Sequence, residues 1–313
     1  MLVALCCFLA GLIAPTVLPA LWARLRAASS DADLYDDGAE GLLLNLDEPL
    51  TRWFNLGWWA PEERSFAHAA AELCRRVAKA ARLEPNQRVC EVGYGSGDST
   101  QLLEREFSPS HYLGLTSLAS QHATAVVRAN KAGLPSDRIQ LRQGDAAKDL
   151  DAEPAGSYDA VLAVDCAYHF NTRPAFLSSS ARLLRAGGHL ALTDLVLPST
   201  PLSLLDRLLL RLLFALAGCP SSNLVSLDTY RAQLVAAGFD AASLELTNVS
   251  GDVWPGFCCF VRGRDERMGG GRRGVLCRKW TGLVRYAGVV EWYAGLRSGR
   301  PKLRYYLVSA RKA

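Results

Sequence analysis

Glu91-Val92-Gly93-Tyr94-Gly95-Ser96-Gly97 is the stretch that decides how this chain is read. The run 87–92 leading into it is short and β-like, and residues 100–107 beyond it read as a helix. Three glycines at alternate positions lie between. Glycine lets a backbone turn sharply and approach a ligand closely, and a helix start leaves free N–H groups. A dinucleotide fingerprint would require G-x-G-x-x-G. Counted from Gly93 the third glycine falls on Asp98, and counted from Gly95 it falls on Thr100, so both registers fail. What stands is acidic-x-G-x-G-x-G. A tight βα turn that holds no ligand is the bland alternative.

Working outward, strand and helix patterns alternate. Residues 65–83 carry Phe66, Ala69, Ala70, Leu73, Val77 and Ala80 at helical spacing. Residues 111–115, 139–143, 158–164 and 189–196 read as further strands, the 158–164 run being apolar throughout and so buried on both faces. Residues 120–132 and 174–184 read as helices, the second ended by Gly187-Gly188, and 228–237 as another. Residues 303–310 read as a last strand. Such alternation predicts an α/β, Rossmann-like fold, a mostly parallel sheet with helices on both faces. In these sheets ligands bind outside the carboxyl ends of the strands.

The bulk properties narrow the function classes. The chain has 313 residues, half of them hydrophobic, and a net charge of +4. That mild charge, with no basic stripe, speaks against nucleic acid as a partner. The basic stretch 262–279 contains Gly269, Gly270 and Gly271 and reads as a solvated loop. Nine cysteines occur, without a C-x-x-C pair or zinc spacing, so no metal is expected. Cys90 and Cys166 fall in strand-like runs, where a thiol acts as a small hydrophobe.

Residues 1–23 carry no charged side chain, which is long enough to cross a bilayer core of about 20 apolar residues. Arg24 and Arg26 follow. The expectation is an N-terminal membrane anchor over residues 1–28 with the rest facing the cytoplasm, the endoplasmic reticulum being one candidate membrane; a cleaved signal or a buried helix is the alternative. Residues 29–49 read as a linker and 50–313 as the α/β domain. Within it, 202–217 places Ser203, Arg207 and Arg211 on one narrow stripe beside a wide apolar surface. The segment 198–227 is therefore read as an insert lying either in a membrane interface or simply over the sheet.

The acidic-x-G-x-G-x-G turn resembles the first motif of the class I S-adenosylmethionine-dependent methyltransferases. The resemblance covers roughly 50–313 and is clearest over 87–197. It implies a seven-stranded sheet with an antiparallel last strand, and S-adenosylmethionine as cofactor. Gly93, Gly95 and Gly97 would lie against its methionine part, with Glu91 near the amino group. Where many members carry an acid for the ribose, this chain has Gly114-Leu115-Thr116-Ser117 and then Gln121. That segment is similar to the small-molecule and lipid branch, including relatives of cyclopropane-fatty-acid synthase. Thr116, Ser117 and Gln121 can bond hydroxyls, although Ser117 would equally serve as a helix cap. Asp145 and Ala146 would meet the adenine edge, a solvated turn being the alternative.

The same resemblance sets Asp165, Cys166, Ala167, Tyr168 and His169 beside the methyl group, with Asp165 on the cofactor and Tyr168 on the substrate side. His169 suits a general base, and it would otherwise only orient the loop. Asp194 would orient that histidine or bind substrate. Asn55-Leu56-Gly57-Trp58-Trp59 resembles an N-L-G-Y-W-type segment whose aromatics close over the site, so Trp58 and Trp59 are substrate-side candidates, simple packing being the alternative. Residues 253–257, with Trp254, look like a substrate-side loop. The expected activity is methyl transfer to a lipophilic small molecule or lipid. The rivals are another reaction of the same cofactor, such as cyclopropanation, and a non-catalytic cofactor-binding scaffold.

Overall fold

The computed structural model describes residues 43–63, 65–267 and 276–313. Seven strands form one sheet: β1 Arg88–Val92, β2 His111–Thr116, β3 Ile139–Gln143, β4 Tyr158–Ala163, β5 Leu184–Val196, β6 Glu245–Asn248 and β7 Arg304–Arg311. Their order is β3-β2-β1-β4-β5-β7-β6. The first five run parallel, and β7 is antiparallel to both β5 and β6. The Rossmann-like, mostly parallel arrangement follows the alternation of the sequence. The order reverses at β1, where the next strand on one side is β2 and on the other β4, so a crevice opens at the carboxyl end of β1.

Eight helices lying within the described residues accompany the sheet: α1 Phe66–Ala80, α2 Asp98–Phe107, α3 Ala119–Lys131, α4 Arg173–Leu183, α5 Leu204–Leu216, α6 Leu227–Ala236, α7 Ser250–Arg267 and α8 Leu276–Ala294. Side-chain caps set several starts: Ser65 accepts from the His68 N–H, Thr172 from Ala175 and Ser226 from Thr229. The strands alternate between two cores. Val89, Ala160, Leu162 and Ala191 join α1, α7 and α8 on one face. Cys90, Val92, Val161, Ala163, Leu190 and Leu192 join α4 and α6 on the other. Glu91 shares the parity of Val89, so its carboxyl points into the first face, beside Tyr112.

Several expectations are corrected. Residues 253–257 are not a loop; they lie inside α7, which accommodates Pro255. The basic stretch 262–279 is not one solvated loop, because α7 runs to Arg267 and α8 begins at Leu276, the two helices packing together. Gly187 and Gly188 do not end α4; they lie within β5, which starts at Leu184. Cys166 lies past the end of β4, where its thiol donates to the Val92 carbonyl. The anchor expected over 1–28 and most of the linker lie outside the described residues. Among the described residues no helix is long and apolar enough to cross a membrane.

Candidate active site

A cavity of about 770 Å³ opens at the carboxyl ends of β1, β2, β4 and β5. One half is walled by the glycine turn. Gly93 has φ +79°, and a Cβ there would stand 2.5 Å from the Cys166 sulfur. Gly97 has φ +89°, and its Cβ would press on Ala125 of α3 at 3.1 Å. Only glycine meets both demands, left-handed backbone and close approach. Helix α2 starts directly after Gly97 without a side-chain cap, so its first N–H groups are available to a ligand. Arg128 of α3 holds the turn from outside, donating to the Ser96 carbonyl at 2.7 Å and forking onto Asp98 at 2.5 and 2.7 Å.

Glu91 is fully buried. One carboxylate oxygen accepts from the Tyr112 hydroxyl, and the other has no hydrogen-bond partner among the described residues. The hydroxyl of Ser96 is likewise buried without a partner, and both residues line the cavity. Burial pushes the Glu91 carboxyl up to about 7, against the lowering effect of hydrogen bonding from Tyr112 and Ser99. A buried polar atom left unpaired costs free energy unless a ligand satisfies it. An ammonium is the group that this carboxylate fits.

Thr116 and Gln121 are both buried and face each other, the hydroxyl donating at 3.4 Å, while Ser117 stands on the rim. Asp145 and Ala146 line the far end. The Asp145 carboxylate caps its own turn through the Ala147 N–H and pairs with Lys148 at 2.9 Å.

Asp165 sits where the two halves of the cavity meet, in left-handed backbone at φ +56°. Its carboxylate accepts from Tyr305 at 2.5 Å, from Tyr168 at 3.0 Å and from the Leu56 N–H at 2.8 Å. It thereby ties together β7, the loop after β4 and the chain before α1. Its carboxyl is raised by burial, those three donors opposing the shift.

The other half of the cavity is apolar. Leu210, Leu213 and Phe214 of α5, Phe257 of α7, and Leu283 and Val289 of α8 form much of its wall. His169 stands in that wall, its Nδ1 3.3 Å from the Cys219 sulfur, with its ring 4.6 Å from that of Tyr168. Burial lowers the imidazole to about 4, so it is neutral at physiological pH.

Four expected site residues lie elsewhere. Asp194 does not orient His169. It is fully buried on the opposite side of β5, accepting from Arg173 at 3.0 Å and from Tyr230 at 3.0 Å. A buried carboxylate needs such a partner, and Arg173 of α4 supplies it. Trp254 does not border the cavity. It is packed between Tyr293 and Tyr305, and Phe257, one turn on, reaches the cavity instead. Trp58 and Trp59 also point away: Trp58 lies under the Arg76 guanidinium, and Trp59 packs on Phe66 and Phe260. Trp53 and Phe54, just upstream, line the cavity in their place. The sequence reading missed Tyr305, Tyr286 and Tyr293. An aromatic cluster in the last strand and helix was the available signal.

Residues 65–244 match the family model described as a methyltransferase domain. The chain belongs to that methyltransferase family. This methyltransferase is 28% identical over 304 residues to erythromycin 3''-O-methyltransferase of Saccharopolyspora erythraea, covering 93% of each chain. It is 30% identical over 190 residues to 27-O-demethylrifamycin SV methyltransferase of Amycolatopsis mediterranei, covering 60% of this chain and 67% of that one. Its fold is that of the cyclopropane synthase from Mycobacterium tuberculosis, at a TM-score of 0.67 and 15% identity over 91% of this chain and 98% of that one. The cofactor of this methyltransferase is S-adenosylmethionine, and the unpaired oxygen of Glu91 suits its ammonium.

Proposed function

We propose that the methyltransferase acts on a lipophilic small molecule or lipid and places the methyl group on a hydroxyl oxygen. The observation that carries this reading is a neutral, buried imidazole set in an apolar wall, next to the cofactor cradle. An apolar wall disfavours charged acceptors, which would lose their hydration there. A hydroxyl acceptor must shed a proton as the new bond forms, and a neutral imidazole can take it. The names of both relatives, each an oxygen methyltransferase acting on a small molecule, support the same reading.

S-adenosylmethionine, when bound, supplies an electrophilic methyl carbon. The chain's residues do the rest. Glu91 holds the ammonium, Thr116 and Gln121 take the ribose hydroxyls, and Asp145 with the Ala146 N–H takes the adenine edge. Tyr168 and Asp165 fix the loop that carries His169. The leucines and Phe214 of α5 exclude water from the acceptor, which strengthens each polar contact inside. His169 accepts the acceptor's proton, and positioning supplies the remaining acceleration.

The test is transfer of labelled methyl from the cofactor by the full chain to a panel of an unsaturated long-chain alcohol, a hydroxylated macrocycle and a long-chain amine. A methyl ether in the organic phase, reduced in His169→Gln, is the expected result. Label on the amine alone would overturn the oxygen assignment. A product that keeps its hydroxyl and loses a double bond would mark cyclopropanation.

A further inference from the structure

Helix α5 has an outer face that no other element among the described residues covers. Leu204, Leu205, Leu208 and Leu212 are 74%, 66%, 54% and 49% exposed, with Leu209 and Leu216 also open to solvent. At about 100° per residue these six leucines fall within roughly 140° of arc. Leu210 and Phe214 on the opposite side are buried and line the acceptor half of the cavity. Arg207 and Arg211 are exposed and border the leucine face along one edge. Ordinary surface helices put charged or polar residues where these leucines stand, and a contiguous exposed apolar patch marks an interaction site.

The occupant follows from three features. The helix is 13 residues long, about 20 Å, too short to cross a hydrocarbon core of about 30 Å. An apolar face with arginines at its margin suits the headgroup–acyl boundary of an anionic bilayer, the guanidinium groups meeting phosphates and the leucines entering the chains. The chain before the described residues contains a 23-residue uncharged apolar stretch followed by Arg24 and Arg26, and it joins the fold through Leu44, which lines the same cavity as Leu210 and Phe214.

We infer that α5 lies in the interface of an anionic lipid bilayer and forms the partition between that bilayer and the acceptor half of the cavity. Its outer leucines sit among acyl chains while its inner leucines and Phe214 seal the cavity. A lipophilic acceptor then passes from the bilayer to His169 past one helix without crossing water. The location of α5 stands apart from the proposed acceptor class, and only the delivery route rests on it.

The test is photo-crosslinking of the full chain, reconstituted in vesicles of phosphatidylcholine and phosphatidylglycerol, with benzoylphenylalanine replacing Leu208. A covalent lipid adduct at position 208, absent when the same group replaces exposed Val127 of α3, is the expected result. An adduct to a second copy of the chain, or none at 208, overturns the inference. The second measurement uses Leu205→Glu, Leu208→Glu and Leu212→Glu together, none of which lines the cavity. The rate on an acceptor embedded in vesicles should fall at least tenfold, with S-adenosylhomocysteine binding unchanged. Equal rates for the variant and the native chain would overturn the delivery route. Absence of methyl transfer to any lipophilic acceptor, with the lipid adduct still formed, would strike the proposed function and leave the membrane contact standing.

Discussion

Glu91→Gln separates the stability cost of the cofactor cradle from its binding role. Burial raises the Glu91 carboxyl from 4.5 to about 7. By linkage that difference is worth about 3 kcal/mol between the charged and neutral forms. The sign follows from the direction. A carboxyl raised on folding contributes stability fully present below its unfolded value, and this is lost as pH rises through 7. The cofactor-free native chain is therefore penalised at pH 8 relative to pH 4.5. Glutamine carries no such penalty, and its carbonyl still accepts from Tyr112. The variant should match the native chain near pH 4.5 and exceed it by about 3 kcal/mol at pH 8, a rise of several degrees in Tm. Cofactor affinity should fall about 10- to 100-fold, because an amide gives no charge-assisted bond to the ammonium. Thermal unfolding of the full chain without cofactor at pH 4.5, 6.5 and 8, with calorimetric binding at pH 8, reads both effects. All other titrating groups cancel in the difference between the two chains. A stability difference independent of pH, or native affinity in the variant, would refute the argument.

Other outcomes follow from the same geometry. Gly95→Asp puts a side chain at φ +57° beside Phe54 and a negative charge in the cradle, so calorimetry should show S-adenosylmethionine binding abolished while circular dichroism retains the native fold. His169→Gln should lower kcat by about 10²–10⁴ with cofactor Kd unchanged. Since His169 titrates near 4 and works as the neutral form, its limb of the native pH–rate profile should fall only below about pH 5, and a limb near 6.5 would contradict the buried setting. Asp194→Ala leaves Arg173 unpaired in the core and should cost about 3–5 kcal/mol in urea unfolding; a loss of kcat without a loss of stability would return Asp194 to catalysis. Gly256→Ala drives a methyl to 2.2 Å from Trp59 and should destabilise by about 1–3 kcal/mol, read as a lowered Tm.

Sequence alone determined what local backbone rules govern. The glycine turn could be read directly because left-handed backbone and a helix start without a cap are requirements on consecutive residues. Alternation of apolar runs gave the parallel strands for the same reason, and Glu91 was identifiable by its place one strand residue before the turn. Direction across the sheet was another matter. Thr193 and Asp194 are neighbours, yet the Thr193 hydroxyl accepts from the Asp165 N–H and bonds the Tyr305 hydroxyl near the cavity, while Asp194 faces Arg173. A strand reverses its face at every residue, so spacing could not assign either without its partners. Trp254 and Phe257 exchanged roles because 253–257 is helical, and the pitch of α7 decides which ring reaches the cavity. Tertiary structure also decided the acceptor half, because its wall is assembled from α5, α7 and α8, separate helices whose inner faces meet only in the assembled fold.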